Sequence, residues 1–173
     1  MTVEAVPGIE TLPECIEDGD TFSANARKKA IHYSHFTHDL VVADDSGLEV
    51  DALGGMPGVR SRRYAGASAT DAENNAKLLD ALRGLPPERR GAQFVCVLAI
   101  ARNGIFVAEF QGTARGVLLG APRGGNGFGY DPLFFDPECN KTFAELLPEE
   151  KLRLSHRGRA LWAMFDWLAT HPQ

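Results

Sequence analysis

Gly124-Gly125-Asn126-Gly127-Phe128-Gly129-Tyr130-Asp131-Pro132 is the stretch of the chain densest in chemistry. Its four glycines let backbone approach a ligand closely and adopt positive φ. Phe128 and Tyr130 offer flat faces on which a base could stack, and Asp131 offers a carboxylate for hydrogen bonds. The plainer alternative is a tight structural turn. Asp44-Asp45-Ser46-Gly47 follows the apolar run Leu40-Val41-Val42-Ala43. Carboxylates at the end of a buried strand can bind Mg²⁺ and orient a water. Neighbouring strand residues point to opposite faces, so one aspartate faces a site and the other supports it. An Asx turn with Gly47 at positive φ is the competing reading.

Glu17-Asp18-Gly19 forms a second acidic spot, either a metal ligand or a set of helix-dipole partners. Lys151, His156 and Arg157 cluster near the C-terminus. Lys and Arg donate hydrogen bonds and never accept them. They would suit a keto oxygen or a phosphate and reject an amino group; solvated surface charge is the alternative. Arg60, Arg62 and Arg63 add positive charge in a glycine-rich loop, where solvated surface is again the bland account. Asn25, a poor helix former, is placed to hydrogen-bond the acidic loop.

These groups need elements to hold them. Residues 1–20 read as irregular. Asp20 or Thr21 caps a helix to about His35, and residues 40–43 read as a buried strand ending at Asp44-Asp45. Residues 54–66 read as loop. Thr70 or Asp71 caps a helix to about Leu82. Gln93 to Ala101 and Ile105 to Arg115 read as a hairpin about an Asn103-Gly104 type I′ turn. A further strand follows at Leu133-Phe134-Phe135. Thr142 and Glu145 make a capping box, Pro148 opens a short helix, and Ser155 caps a last helix to about Ala169. Leu161, Met164, Phe165 and Leu168 form its inner side. The mixture predicts an α/β or α+β sheet with helices around it, in one domain spanning 1–173.

With 44% apolar and 24% charged residues, 173 residues can build one ordinary globular core. The net charge of −5 argues against a nucleic-acid partner. A polyanionic ligand must then find local cations or a metal. Cys15, Cys96 and Cys139 contain no CxxC pair, which argues against a zinc site or disulfide framework and fits a reducing, cytoplasmic setting. The chain shows no apolar run long enough for a bilayer, so no membrane partner is expected.

Five blocks stand in order between about Cys15 and Leu168: Glu17-x-Gly19-x-Thr21-Phe22 with Asn25-Ala26; Ala43-Asp44-Asp45-Ser46-Gly47-Leu48; Gly54-Gly55-x-Pro57-Gly58-x-x-Ser61-x-Arg63-Tyr64; Gly127-Phe128-Gly129-Tyr130-Asp131-Pro132-x-Phe134; and Lys151-x-x-x-Ser155-His156-Arg157. Together they resemble the inosine triphosphate pyrophosphatase family, the noncanonical purine nucleoside triphosphate pyrophosphatases, and within it the bacterial dITP/XTP enzymes. The resemblance implies Mg²⁺-dependent hydrolysis of inosine, deoxyinosine or xanthosine triphosphate to the monophosphate and pyrophosphate. It implies Asp45 as general base and metal ligand, Glu17 as metal ligand and Ser46 as a substrate contact. Phe128 would stack on the purine, with Gly129, Tyr130 and Asp131 completing that wall, while Lys151, His156 and Arg157 read the base edge. The implied fold is an elongated α/β structure with a long central mixed sheet, two lobes and a cleft between them. The implied assembly is a homodimer.

The family pattern also carries a strand and a Thr/Ser-x-Asn-x-x-Lys phosphate loop ahead of the first helix. This chain opens at Met1-Thr2-Val3-Glu4 without them, and Ile16 replaces an acid. The expectation is an N-terminally short form, from a late start site, a cut, or a divergence in which Arg60, Arg62 or Arg63 takes the phosphates. A catalytically weak purine-nucleotide-binding module is therefore the second functional reading. A third, the related Maf-type pyrophosphatases, fits poorly with the Phe128–Asp131 block and with Ser155-His156-Arg157.

Overall fold

The computed structural model describes residues 3–171, so the expected opening at Met1-Thr2 lies outside the described residues. Strand β2 (Gly91–Arg102) sets the architecture. It is buried from Phe94 to Ala101 because helices cover both of its faces. Its side chains alternate between them. Val95, Val97, Ala99 and Ala101 pack against Phe22, Ala26 and Ala30 of helix α1 (Phe22–Tyr33). Cys96, Leu98 and Ile100 pack against Ala160 and Met164 of the last helix, α4 (His156–Thr170). The alanines keep both helices close to the sheet. Thr21 and Ser155 cap these helices as expected, their hydroxyls accepting from Ala24 N and Gly158 N.

Strand β1 (Val41–Val50) pairs with β2, which pairs with β3 (Ile105–Leu118) through the Asn103-Gly104 turn. Both turn residues have positive φ, 49° and 78°, as a type I′ turn requires. Short strands β4 (Phe134–Asp136) and β5 (Lys141–Thr142) complete the order β1-β2-β3-β4-β5. The α/β class and the helix-covered sheet are as expected. The sheet was expected to be mixed, but every pairing among the described residues is antiparallel. No described helix crosses between two parallel neighbours, which is what a parallel pair needs.

Helix α2 (Asp71–Ala81) has the Thr70–Glu73 capping box, and α3 (Pro148–Leu154) opens on its proline. Leu78 and Leu82 of the α2 region join Leu48, Val50, Phe94, Tyr130, Phe134 and Phe143 in a separate apolar cluster. The expected loop at 54–66 contains a 3₁₀ segment, Gly58–Arg63.

One boundary matters for function. β1 does not stop at Asp44-Asp45; it runs on through Ser46 and Gly47 to Val50, with Asp44 opposite Leu98 and Asp45 opposite Val97. Gly47 therefore sits in extended strand and not in a positive-φ turn. Its lack of a side chain serves close approach: a Cβ there would lie 2.5 Å from Gly58 O and 2.6 Å from Ser61 Oγ. The Gly58–Arg63 segment docks in that space, and Leu48 N donates to Ser61 Oγ at 2.8 Å.

Candidate functional site

The alternation of β1 sends its two aspartates to opposite faces. Asp45 turns toward α1, where Asn25 Nδ2 donates to Oδ2 at 3.1 Å and Lys29 Nζ lies 3.4 Å from Oδ1. Lys29 also lies 3.2 Å from Glu17 Oε1, so one ammonium bridges the two carboxylates. Asn25 orders this corner from the helix: its Oδ1 accepts from Gly19 N at 2.8 Å, as its place in the sequence suggested. Burial pushes the Asp45 carboxyl above its ordinary range, against the pull of Lys29 and Asn25.

Asp44 turns toward α4. Its Oδ2 accepts from Arg157 Nη2 at 2.7 Å and from Ser46 Oγ at 3.1 Å. Burial alone would raise Asp44, yet Arg157 and Ser46 outweigh it and hold the carboxyl below its usual range. Burial would likewise lower Arg157, and Asp44 more than compensates. Ser46, expected as a substrate contact, thus has its hydroxyl on Asp44.

The aromatic loop stands on the other wall. Phe128 is 62% exposed, and its ring lies beside two cations. Lys151 Nζ is 4.9 Å and Arg157 Cζ 5.7 Å from its centroid. Asp131, by contrast, is buried. Its carboxylate accepts from Phe128 N at 2.8 Å and from Lys151 Nζ, which fixes the loop to α3. Gly127 makes room for that carboxylate; a Cβ there would come within 2.1 Å of Asp131 Oδ2. Gly129 donates to Asp71 Oδ2 at 2.6 Å and accepts from Asn75 Nδ2 at 2.9 Å, so the start of α2 clamps the same loop.

Tyr130 does not offer a second stacking face. It is buried in the apolar cluster, and its hydroxyl donates to Ser61 O at 2.8 Å. An aromatic ring with a hydrogen-bonded tip is an anchor of this kind. His156 is buried, stacked on Phe94 at 4.7 Å and 11°, with Nδ1 unpartnered. Burial, then the charges of Arg157 and Lys151, lower its pKa to about 3. It is a neutral imidazole at pH 7, so it brings one accepting nitrogen to a cluster expected to donate only.

Both walls face one cleft of about 1260 Å³, lined by Glu17, Asp45 and Ser46 and by Phe128, Lys151 and Arg157 among others. The sequence-predicted residues therefore come together, although the two aspartates belong to different clusters. Lys29, Asp71 and Asn75 were missed as site residues. Lys29 had a legible signal, since it lies four residues after Asn25 on one helix face. The others act through distant partners and left none. Among the described residues no three His, Cys, Asp or Glu side chains gather into a metal-holding group, and no helix is long and apolar enough to cross a membrane.

Fold and cleft define an α/β protein whose cleft has an acidic, cation-bridged corner on one side and a cation-edged aromatic ring on the other. The Ham1 family profile matches residues 1–167, and the chain belongs to the Ham1 family. It is 53% identical over 161 residues to a dITP/XTP pyrophosphatase of Desulforamulus reducens, covering 93% of this chain and 79% of that protein. A dITP/XTP pyrophosphatase of Geobacillus kaustophilus is 54% identical with the same coverage. The solved Ham1 protein of Staphylococcus aureus superposes with a TM-score of 0.87 at 39% identity, over 94% of this chain and 84% of that one.

Proposed function

We propose that this chain hydrolyses noncanonical purine nucleoside triphosphates, those of inosine, deoxyinosine and xanthosine, to the monophosphate and pyrophosphate. The observation that carries the reading is the open Phe128 ring, edged by Lys151 and Arg157, in one cleft with the Glu17–Lys29–Asp45 corner. The names of the relatives at half identity support it.

The base stacks on Phe128, which every purine face permits. Lys151 and Arg157 keep N–H donors beyond those held by Asp131 and Asp44, because an ammonium has three and a guanidinium five. A 6-keto oxygen accepts from them, whereas an adenine amino group does not. An unpaired buried polar group costs about 1–3 kcal/mol, so adenine loses roughly ten- to a hundredfold.

At the other end, two carboxylates already share one cation, Lys29 Nζ. One or two carboxylates, completed by water and substrate phosphates, are the usual protein share of a Mg²⁺ site. Glu17 and Asp45 fit that role and would hold the ion, which when bound neutralises phosphate charge and acidifies a water. Asn25 and Lys29 fix the Asp45 carboxylate, and Asp45 takes the proton of the attacking water. With this activity go the homodimer that the family resemblance implies and the cytoplasmic setting that the cysteine pattern fits.

The test is product analysis with inosine, xanthosine and adenosine triphosphates as substrates. Pyrophosphate and monophosphate should appear with the first two at least roughly tenfold faster than with the third, and Asp45→Asn should abolish turnover. Stepwise release of inorganic phosphate, or tight binding of inosine monophosphate without turnover, would refute the proposal.

A further inference from the structure

Five cationic side chains line the cleft. Four are engaged: Lys29 by Glu17 and Asp45, Lys151 by Asp131, Arg157 by Asp44, and Arg63 through its Nη2 on Glu17 O at 3.1 Å. Arg62 is different. Its side chain is exposed and, among the described residues, makes no ion pair and no hydrogen bond. Its backbone, however, is held on every side. Ser61 O accepts from Tyr130 Oη at 2.8 Å, Arg62 O accepts from Asn74 Nδ2 at 2.9 Å, and Arg63 reaches the acidic loop. The Gly58–Arg63 segment thus ties the aromatic wall to the acidic corner, with Arg62 on the span between them. The pinned backbone places an uncommitted guanidinium at the cleft, within reach of an anion.

We propose that Arg62 binds the polyphosphate chain of the substrate, at the phosphates that leave as pyrophosphate. This rests on the hydrolase reading above and adds a residue to it. Lys29, Lys151 and Arg157 are neutralised by carboxylates of the same cleft and leave a polyanion little net attraction, while Arg63 is spent on a backbone carbonyl. Arg62 supplies uncompensated charge in a planar fork that matches phosphate oxygens. The contact lies on the leaving portion of the substrate and away from the base. It therefore distinguishes a triphosphate or pyrophosphate from a monophosphate.

Calorimetric titration of pyrophosphate and of inosine monophosphate, in magnesium buffer, tests this on the wild type, Arg62→Gln, Arg62→Lys and Arg83→Gln. Arg83 lies just past the C-terminal end of α2, paired with Asp80 at the surface, and its variant removes the same charge outside the cleft. Arg62→Gln should weaken pyrophosphate about tenfold and raise the inosine triphosphate KM by a similar factor, with kcat within about twofold. Monophosphate affinity should hold, Arg62→Lys should recover part of the loss, and Arg83→Gln should change nothing. Unchanged pyrophosphate affinity in Arg62→Gln, or an equal loss for monophosphate, overturns the proposal while leaving the hydrolase reading in place. A wild type that neither turns over inosine triphosphate nor binds pyrophosphate overturns both.

Discussion

His156 makes the fold acid-sensitive in a way that one substitution can isolate. The imidazole is stacked on Phe94 beneath Arg157 and Lys151, and burial with those two charges takes its pKa from 6.5 to about 3. Between these values the unfolded chain binds a proton that the folded chain does not. Stability therefore falls as pH is lowered through that window, and the full benefit is present only above about 6.5. Linkage with these two values removes about 2 kcal/mol between pH 7 and pH 5. For a chain of this size that corresponds to a drop in Tm of roughly 4–8 °C. His156→Phe keeps a ring on Phe94 and cannot titrate, and His156→Gln is a second nontitrating replacement. Other groups that titrate in this range are common to all three proteins and cancel in the comparison. Thermal denaturation followed by circular dichroism at both pH values should show the wild type losing about 4–8 °C more than either variant. If all three lose the same amount within about 1 °C, His156 is not held neutral and the argument from burial fails.

Two further substitutions probe the walls of the cleft. Gly47→Ala puts a Cβ against Gly58 O and Ser61 Oγ, and overpacking of this kind costs about 1–3 kcal/mol, so Tm should fall by roughly 2–12 °C; a melt within about 1 °C of wild type would mean that the Gly58–Arg63 segment does not sit so close to β1. Asp131→Asn removes the charge from the one carboxylate oxygen, Oδ2, that accepts from both Phe128 N and Lys151 Nζ. Loss of a charged hydrogen bond costs about 1.5–3 kcal/mol, and the inosine triphosphate KM should rise as the aromatic loop loosens; unaltered kinetics and melting would refute the anchoring role of this carboxylate.

Much of this arrangement was legible where the signal is local. The Asn103-Gly104 turn, the Thr70 and Ser155 caps and the apolar run of β2 each specify their element through neighbours in sequence. The course of β1 was not. Two acids, a serine and a glycine interrupt its apolar pattern, and pairing with Val95 to Leu98 some fifty positions later keeps it extended. That pairing also decides which aspartate meets Lys29 and which meets Arg157. The burial of Tyr130 was hidden for a similar reason, because nothing nearby in sequence says that its hydroxyl reaches Ser61. The residue types of the site could be read from the chain, while their division into an Asp45 corner and an Asp44–Arg157 pair needed the sheet.

A crystal structure with a nonhydrolysable inosine triphosphate analogue and magnesium tests the central claim most directly. The account predicts hypoxanthine on the Phe128 ring beside Lys151 and Arg157, with the phosphates running past Arg62 to a metal held by Glu17 and Asp45. A nucleotide bound outside this cleft, or one with its base against Glu17 and Asp45 and its phosphates at Phe128, would contradict it.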